Sequence, residues 1–262
     1  MTVIEQIDLL SQLDEQSFLE QEVELKDISF RRISREEAKD MLLNYHYLHR
    51  LPPMSFIYGA FVDNALVGIL TVGKPASMPL CKGVAGETYS PQVYELNRLY
   101  TMDFLPKNTE SMFVGYMLKD LKPLNLILIS YADKGMNHSG YIYQATNWLY
   151  TGLSANRTDV YVGKGKHSRT YTEEQRQSDI RKIRSSKHRY VYINGNKRFK
   201  KDVLKALKYP VIAEYPKGEV THYEVGEEEV VWLYNKVTGE TFTEENYLKS
   251  NPIQRETNRR TT

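Results

Sequence analysis

Cysteine is almost missing from this chain, which has one, Cys81, in 262 residues. A lone thiol excludes an internal disulfide framework and a zinc site built from thiolates, so nothing argues for an oxidising compartment. Long apolar runs are missing as well, and no segment has the length a bilayer span requires. The first residues, MTVIEQIDLLSQLDEQ, carry acidic side chains where a secretory leader carries basic ones. The expectation is a soluble protein of the cytoplasm with no membrane partner. At 41% apolar, the chain has enough hydrophobic surface to bury a core.

What the chain does have is segregated charge. The formal net charge is only +2, yet Gly163 to Lys208 holds 15 Lys/Arg against 4 Asp/Glu, leaving 20 basic and 29 acidic residues elsewhere. A solvated basic face is one reading of such a block. The density, and the interleaved Tyr171, Tyr190, Tyr192 and Phe199, favour a polyanion, since each phosphate neutralised releases counterions.

The pattern along the chain points to an α/β fold. Residues 1–27 form an acidic N-terminal arm. Ser34 to Glu37 is a capping box, and Ala38, Met41, Leu42 and Tyr45 follow at helical spacing, predicting a first helix. Phe56–Val62 and Ala65–Val72, joined by Asp63-Asn64, read as a hairpin. Residues 73–92 read as an irregular loop. A strand over 93–102, a helix from Leu105, an apolar strand over 124–131 and a helix over 139–150 make a βαβα run, which implies parallel strands with right-handed crossovers. Beyond it the pattern predicts a strand near 159–162, a polar helix over 173–184, a strand over 189–194 and a short basic helix over 200–207. The C-terminal part, 216–262, predicts a hairpin turned at Thr238-Gly239 and a frayed polar tail.

The order helix, hairpin, strand, helix, strand, helix resembles the GNAT acyltransferase superfamily, with a central mixed sheet flanked by helices. The strings HYLHRLPP, ELNRLYTMDFLPKNTES, SYADKGMNHSGYIYQATNWLYTGLS and KHRYVYINGNKRFKKDVLKALKYP are similar to the Mom family of bacteriophage DNA-modification proteins. The resemblance implies a catalytic domain over 28–215, including a basic DNA-binding segment over 163–208, with a basic C-terminal extension. It also implies transfer of a carbamoylmethyl-type group to adenine N6 in double-stranded phage DNA inside the bacterial host, which hides that DNA from restriction nucleases. The glycine-rich signature with which GNAT enzymes wrap coenzyme A pyrophosphate is missing. Lys107, Asn108, Thr109 and Ser111 stand at that helix start instead, as candidate contacts for an acyl-CoA-like donor.

Individual residues carry paired readings. Adenine N6 is a poor nucleophile, because its lone pair is delocalised into the ring, so an enzyme must accept its proton as the new bond forms, a task a carboxylate can perform. Asp133, at the end of the apolar strand, suits that task; its alternative is an Asx turn with Lys134-Gly135. Ser111 reads as a cap, and the resemblance makes it a site residue. Tyr143 offers a flat face for an extruded base. It stands five positions from Trp148, so the two do not share one helical stripe. The resemblance implies that Tyr150, where GNAT enzymes often keep a tyrosine, protonates the leaving group; its alternative is packing. His46 and His49 would face one site if their turn stays helical, as base, phosphate contact or metal ligand with Asp133 or His138; the metal is left open. His46 and Tyr47 join the site on family grounds. Phosphate contacts fall to Lys164, Lys166, Arg169, Lys187, Arg189, Lys197, Arg198, Lys200 and Lys201. Two other readings compete: an ordinary GNAT N-acetyltransferase acting on a protein or small-molecule amine, and a noncatalytic DNA-binding protein on a transferase scaffold.

Overall fold

The structure is a computed structural model that describes residues 23–46, 49–136, 138–163, 171–218 and 230–251. By its internal contacts the chain divides into two compact units. The first comprises Met1–Tyr131, Gly140–Gly152 and Arg189–Pro216; the second comprises Ala132–Ser139, Leu153–His188 and Lys217–Thr262.

The first unit begins with strand β1 (Ser29–Arg32), which sequence patterning did not reveal, and helix α1 (Arg35–Asp40). The capping box is formed as expected: Glu37 N–H donates to Ser34 Oγ at 3.2 Å, and Ser34 N–H to the Glu37 carboxylate at 2.7 Å. After Asp40 the helix widens into a π turn over Met41–Tyr45, closed by His46 N–H on Met41 O at 3.1 Å. Ala38, Met41 and Leu42 reach the core against Ile69, but the wider turn swings Tyr45 out to solvent.

Strands β2 (Phe56–Val62) and β3 (Ala65–Gly73) form the expected hairpin, with Asp63 and Asn64 both at positive φ, as a tight two-residue turn demands. The stretch read as irregular holds helix α2 (Met78–Ala85), capped by Ser77 Oγ on Leu80 N–H and stopped at Gly86. Cys81, Val84 and Ala85 bury its inner face. Strand β4 (Val93–Thr101), helix α3 (Thr109–Leu121) and strand β5 (Leu126–Asp133) follow, and β4 and β5 are parallel, as the βαβ pattern requires. Phe113, Met117 and Leu121 line the buried side of α3.

The next expectation fails in an instructive way. The helix predicted to run to Tyr150 is α4 (Tyr141–Ala145) only; Asn147 takes a left-handed φ of 61°, and Leu149–Leu153 becomes strand β6. Asn tolerates that conformation, and the run Trp148-Leu149-Tyr150-Thr151 that follows, with two aromatics and one β-branched residue, suits a strand better than a helix. Strand β9 (Lys187–Asn194) and basic helix α6 (Lys197–Ala206), capped by Asn196, match their expectations closely. The seven-stranded mixed sheet runs β1-β2-β3-β4-β5-β9-β6 with helices against it, the α/β class expected.

The second unit holds a smaller sheet, β11-β10-β8-β7. Its strands are β7 (Arg157–Val160), β8 (Ile180–Arg184), β10 (Trp232–Asn235) and β11 (Thr241–Thr243). The polar helix predicted over 173–184 is α5 (Glu173–Gln177); Ile180 onward pairs with β7 on one side and β10 on the other. Two cross-strand ladders outweigh the weak helical preference of one short polar segment. The C-terminal hairpin is present, and the polar stretch after it forms helix α7 (Glu244–Ser250), where Tyr247 stacks on Phe242. Among the described residues no helix is long and apolar enough to cross a membrane.

Strand β5 is the centre of the first unit's core, with Ile127, Leu128 and Ile129 fully buried. Ile129→Ala is expected to destabilise the fold by about 2–5 kcal/mol, while truncation of the exposed Met78 costs under about 1 kcal/mol; denaturant titration of the two variants checks the contrast.

Candidate functional site

In the first unit the parallel strands β4 and β5 fork apart early. The strands pair only at Val93↔Ile127, Tyr94↔Leu128 and Glu95↔Ile129, and no ladder continues beyond. At the crotch, Ser130 Oγ lies 2.8 Å from Leu96 O and 2.7 Å from Tyr143 Oη. A carbonyl can only accept, so the serine's single proton goes to Leu96, and its lone pairs face the Tyr143 phenol. Ser130 is a residue the sequence reading missed; the signal was a hydroxyl closing an otherwise apolar Leu-Ile-Leu-Ile run.

Tyr143 belongs to an aromatic stack. Its ring centroid is 5.2 Å from Trp148 and 5.1 Å from Tyr190, and Tyr190 lies 5.4 Å from Tyr150. The expectation that Tyr143 and Trp148 point apart is corrected: α4 ends at Ala145, and the left-handed turn at Asn147 folds Trp148 back under Tyr143. Gly140 is required there, since it sits at φ 80° and a Cβ would lie 2.5 Å from the Tyr190 ring. Burial pushes the Tyr190 phenol up to about 12, and burial also raises Tyr150 against the lowering field of Arg189. Tyr150 therefore keeps its proton at neutral pH, as a proton donor must.

At the start of α3, Asn108 adopts φ 77° and, like Lys107, is exposed. Thr109 Oγ1 donates to Pro106 O at 2.7 Å and Ser111 Oγ to Asn108 O at 2.8 Å. Both hydroxyls are thus turned onto backbone carbonyls of their own turn and cap nothing: the N-cap position is Asn108, which makes no side-chain cap hydrogen bond, so the capping reading of Ser111 is corrected. Glu110 adds a carboxylate to the same turn. This turn fits a coenzyme A pyrophosphate poorly, lacking glycines and carrying a negative charge of its own.

His46 and His49 do not share a site. His46 is 3% exposed, its backbone already extended, while His49 is exposed with Nδ1 2.9 Å from Leu43 O. Burial, reinforced by Arg98 and His49, pushes the His46 imidazole from 6.5 down to about 3, so it is neutral in any cell. Arg98, also buried, is a second residue missed from the sequence. Tyr47 lies outside the described residues.

In the second unit Asp133 is the centre of a polar cluster. Its Oδ1 accepts the Gly135 N–H at 2.9 Å and the Ser185 hydroxyl, and its Oδ2 takes the Lys187 ammonium at 2.7 Å. The Asx turn foreseen as the alternative is therefore real, and it leaves room for further partners. Burial raises the carboxyl, but Lys187, Ser185 and Gly135 together overcome it and hold Asp133 below the ordinary carboxylate range. Gly135 is tight against this cluster, since a Cβ there would come within 2.8 Å of Ser185 Cβ. His138 donates its backbone N–H to Asp133 O at 3.0 Å. Burial lowers its imidazole, with Asp133 opposing and Lys187 adding to the effect. Ser185 was the third residue that sequence reading missed, because it lies 52 positions from its partner.

The basic residues divide by environment. Arg189 is engaged inside the first unit: Nε and Nη2 donate to Thr151 Oγ1 and O, and the guanidinium sits 3.5 Å from the Tyr209 ring centroid. On α6, Lys197, Arg198 and Lys201 are exposed, and Lys200 lies 5.5 Å from the Tyr192 ring centroid. Lys164, Lys166 and Arg169 lie outside the described residues. Among the described residues no group of three His, Cys, Asp or Glu is arranged to hold a metal ion.

In an open α/β sheet, ligands bind beyond the carboxyl ends of the strands, and strand β5 ends at Asp133. Residues 27–217 match the model of the Mom protein family, and the chain belongs to that family. Over 176 residues it is 28% identical to the methylcarbamoylase mom of Escherichia phage Mu, covering 66% of this chain and 69% of that protein. Solved structures similar to it include an N-acetyltransferase from Staphylococcus aureus Mu50, at 12% identity over 63% of this chain and 98% of that one, with a TM-score of 0.39. Another is a putative acetyltransferase from Salmonella typhimurium with its cofactor acetyl-CoA, at 7% identity, 64% and 95% coverage and a TM-score of 0.41.

The buried His46 makes a prediction for stability. The unfolded chain takes up a proton as pH falls through about 6.5, whereas the folded one resists it until about 3, so stability is whole above that window and declines across it. In His46→Gln this part of the acid loss, worth up to several kcal/mol at the lower end, should vanish; melting temperature against pH for both proteins reads the change in slope.

Proposed function

We propose that this chain is a phage DNA-modifying transferase that attaches a small acyl-derived group, of carbamoylmethyl type, to adenine N6 in double-stranded DNA and thereby shields it from host restriction. The observation that carries the reading is the Mom family match over 27–217, spanning the fork and the Asp133 cluster alike. The phage Mu relative is named as a methylcarbamoylase, which supports transfer of a group of that kind.

The roles follow from each residue's surroundings. Asp133 is the acceptor for the N6 proton: as the new bond forms at nitrogen, that proton moves to its carboxylate. Ser185 and the Gly135 N–H fix its orientation. His138, kept neutral by burial, is a second proton acceptor within its field. In the first unit the fork receives the donor, and Tyr150, protonated at working pH, supplies the proton for the leaving group. Tyr143 offers its ring as a stacking surface, anchored through Ser130. Lys107, Asn108, Thr109 and Ser111, the candidate contacts for an acyl-CoA-like donor, carry no step here, since the two hydroxyls serve their own backbone and Glu110 adds a negative charge. His46 stays a candidate of this unit on family grounds, as a neutral imidazole, and Tyr47 on family grounds alone. The exposed cations of α6, together with Lys164, Lys166 and Arg169, take backbone phosphates and read no sequence.

Plasmid DNA from cells expressing the chain should yield, on digestion to nucleosides, a modified deoxyadenosine detectable by mass spectrometry. Asp133→Ala should cut its yield by about a hundredfold or more while the protein remains folded. Only ordinary deoxyadenosine in the presence of folded wild-type protein overturns the proposal.

A further inference from the structure

The Asp133 cluster poses a problem for its assigned task. A carboxylate that already accepts from a backbone N–H, a hydroxyl and an ammonium is a stabilised anion with little appetite for another proton. The partner that suppresses it most is Lys187, and Lys187 is also the least committed of the three. Gly135 is fixed by the Asx turn, and Ser185 is wedged against Gly135. The Lys187 side chain retains 32% exposure against 16% for Asp133, at the end of four rotatable bonds. Its backbone is pinned independently of the ion pair: Lys187 N–H donates to Ser154 Oγ at 2.9 Å, and Ser154 N–H donates to Lys187 O at 2.8 Å. The ammonium can therefore change partner without disturbing strand β9. It stands in the block of the sequence where cations are most concentrated.

We propose that Lys187 is an exchangeable counterion: a DNA phosphate draws its ammonium away from Asp133, and the carboxylate, left with Ser185 and the Gly135 N–H, becomes free to accept a hydrogen from the target base. This rests on DNA being the substrate. Lys187 is a positioning residue, which holds the acceptor charged and quiet until duplex arrives. One oxyanion replaces another around the same ammonium, Ser185 and the Gly135 N–H still serve the carboxylate, and the counterions released from the phosphate favour the exchange. It also protects the enzyme from stray chemistry, since the acceptor is unmasked only where a phosphate backbone is present.

The exchange predicts a sign that a purely structural ion pair does not. If Asp133 and phosphate compete for Lys187, removing the carboxylate charge frees the lysine and tightens duplex binding. Asp133→Asn, which keeps the shape and both remaining hydrogen bonds, should bind a short duplex about fivefold more tightly at fixed salt, the equivalent of a partly exposed ion pair of about 1 kcal/mol. Lys187→Met should bind more weakly, with a salt dependence shallower by about one released counterion. The double variant should match Lys187→Met, so that the gain from Asp133→Asn disappears. A general electrostatic effect of deleting one negative charge would persist in the Lys187→Met background, and that result overturns the exchange. So does wild-type binding that Lys187→Met leaves unchanged. Failure of the wild-type protein to bind duplex at all defeats the DNA reading itself, and with it the exchange. Melting curves of the variants separate any loss of fold from these outcomes.

Discussion

One carboxylate organises the second unit. Asp133 is too enclosed to carry its charge unaided, and a partly buried anion without donors is costly. Its donors come from near and far along the chain: the turn that follows it, and a serine and lysine about fifty residues on. Satisfying it ties the carboxyl end of β5 to the link between β8 and β9, with Lys134 N–H on Ser186 O at 3.3 Å alongside. The same anchoring that makes the fold acceptable makes the acceptor a weak base at rest, and the chemistry proposed for it depends on relieving one of those contacts.

Much of the first unit was legible in the sequence because its elements are strongly patterned. The capping box at Ser34, the Asp63-Asn64 hairpin, the β4–α3–β5 crossover and the cap at Asn196 each declare themselves within a few residues. What was illegible depended on partners far along the chain. Ile180–Arg184 looks like the continuation of a polar helix until β7 and β10 are brought beside it. Trp148 looked like a helical residue because nothing local announces the left-handed Asn147. Helix α2 carried readable signals, a serine cap and a stopping glycine, but its short, proline-containing run has no clear period.

The candidate site follows the same rule. Asp133 stood out as a charged residue ending an apolar strand, and its Asx turn with Gly135 was foreseen. Ser185 and the pairing of Lys187 were not, since no spacing rule joins positions 52 apart. The histidine pair failed for a local reason: the π turn and the extended backbone at His46 send one ring inward and leave the other outside. The segregated charge reads differently residue by residue, for Arg189 serves as an internal clamp on Thr151 and Tyr209, whereas α6 presents its cations to solvent.

The most direct test of this account is the titration of the Asp133 carboxyl itself, followed by carbon-13 resonance in aspartate-labelled protein with and without a saturating DNA duplex. The account predicts a midpoint below the ordinary carboxylate range in the free protein and a clear rise when duplex binds. An identical midpoint in both states, with the duplex demonstrably bound, would contradict it.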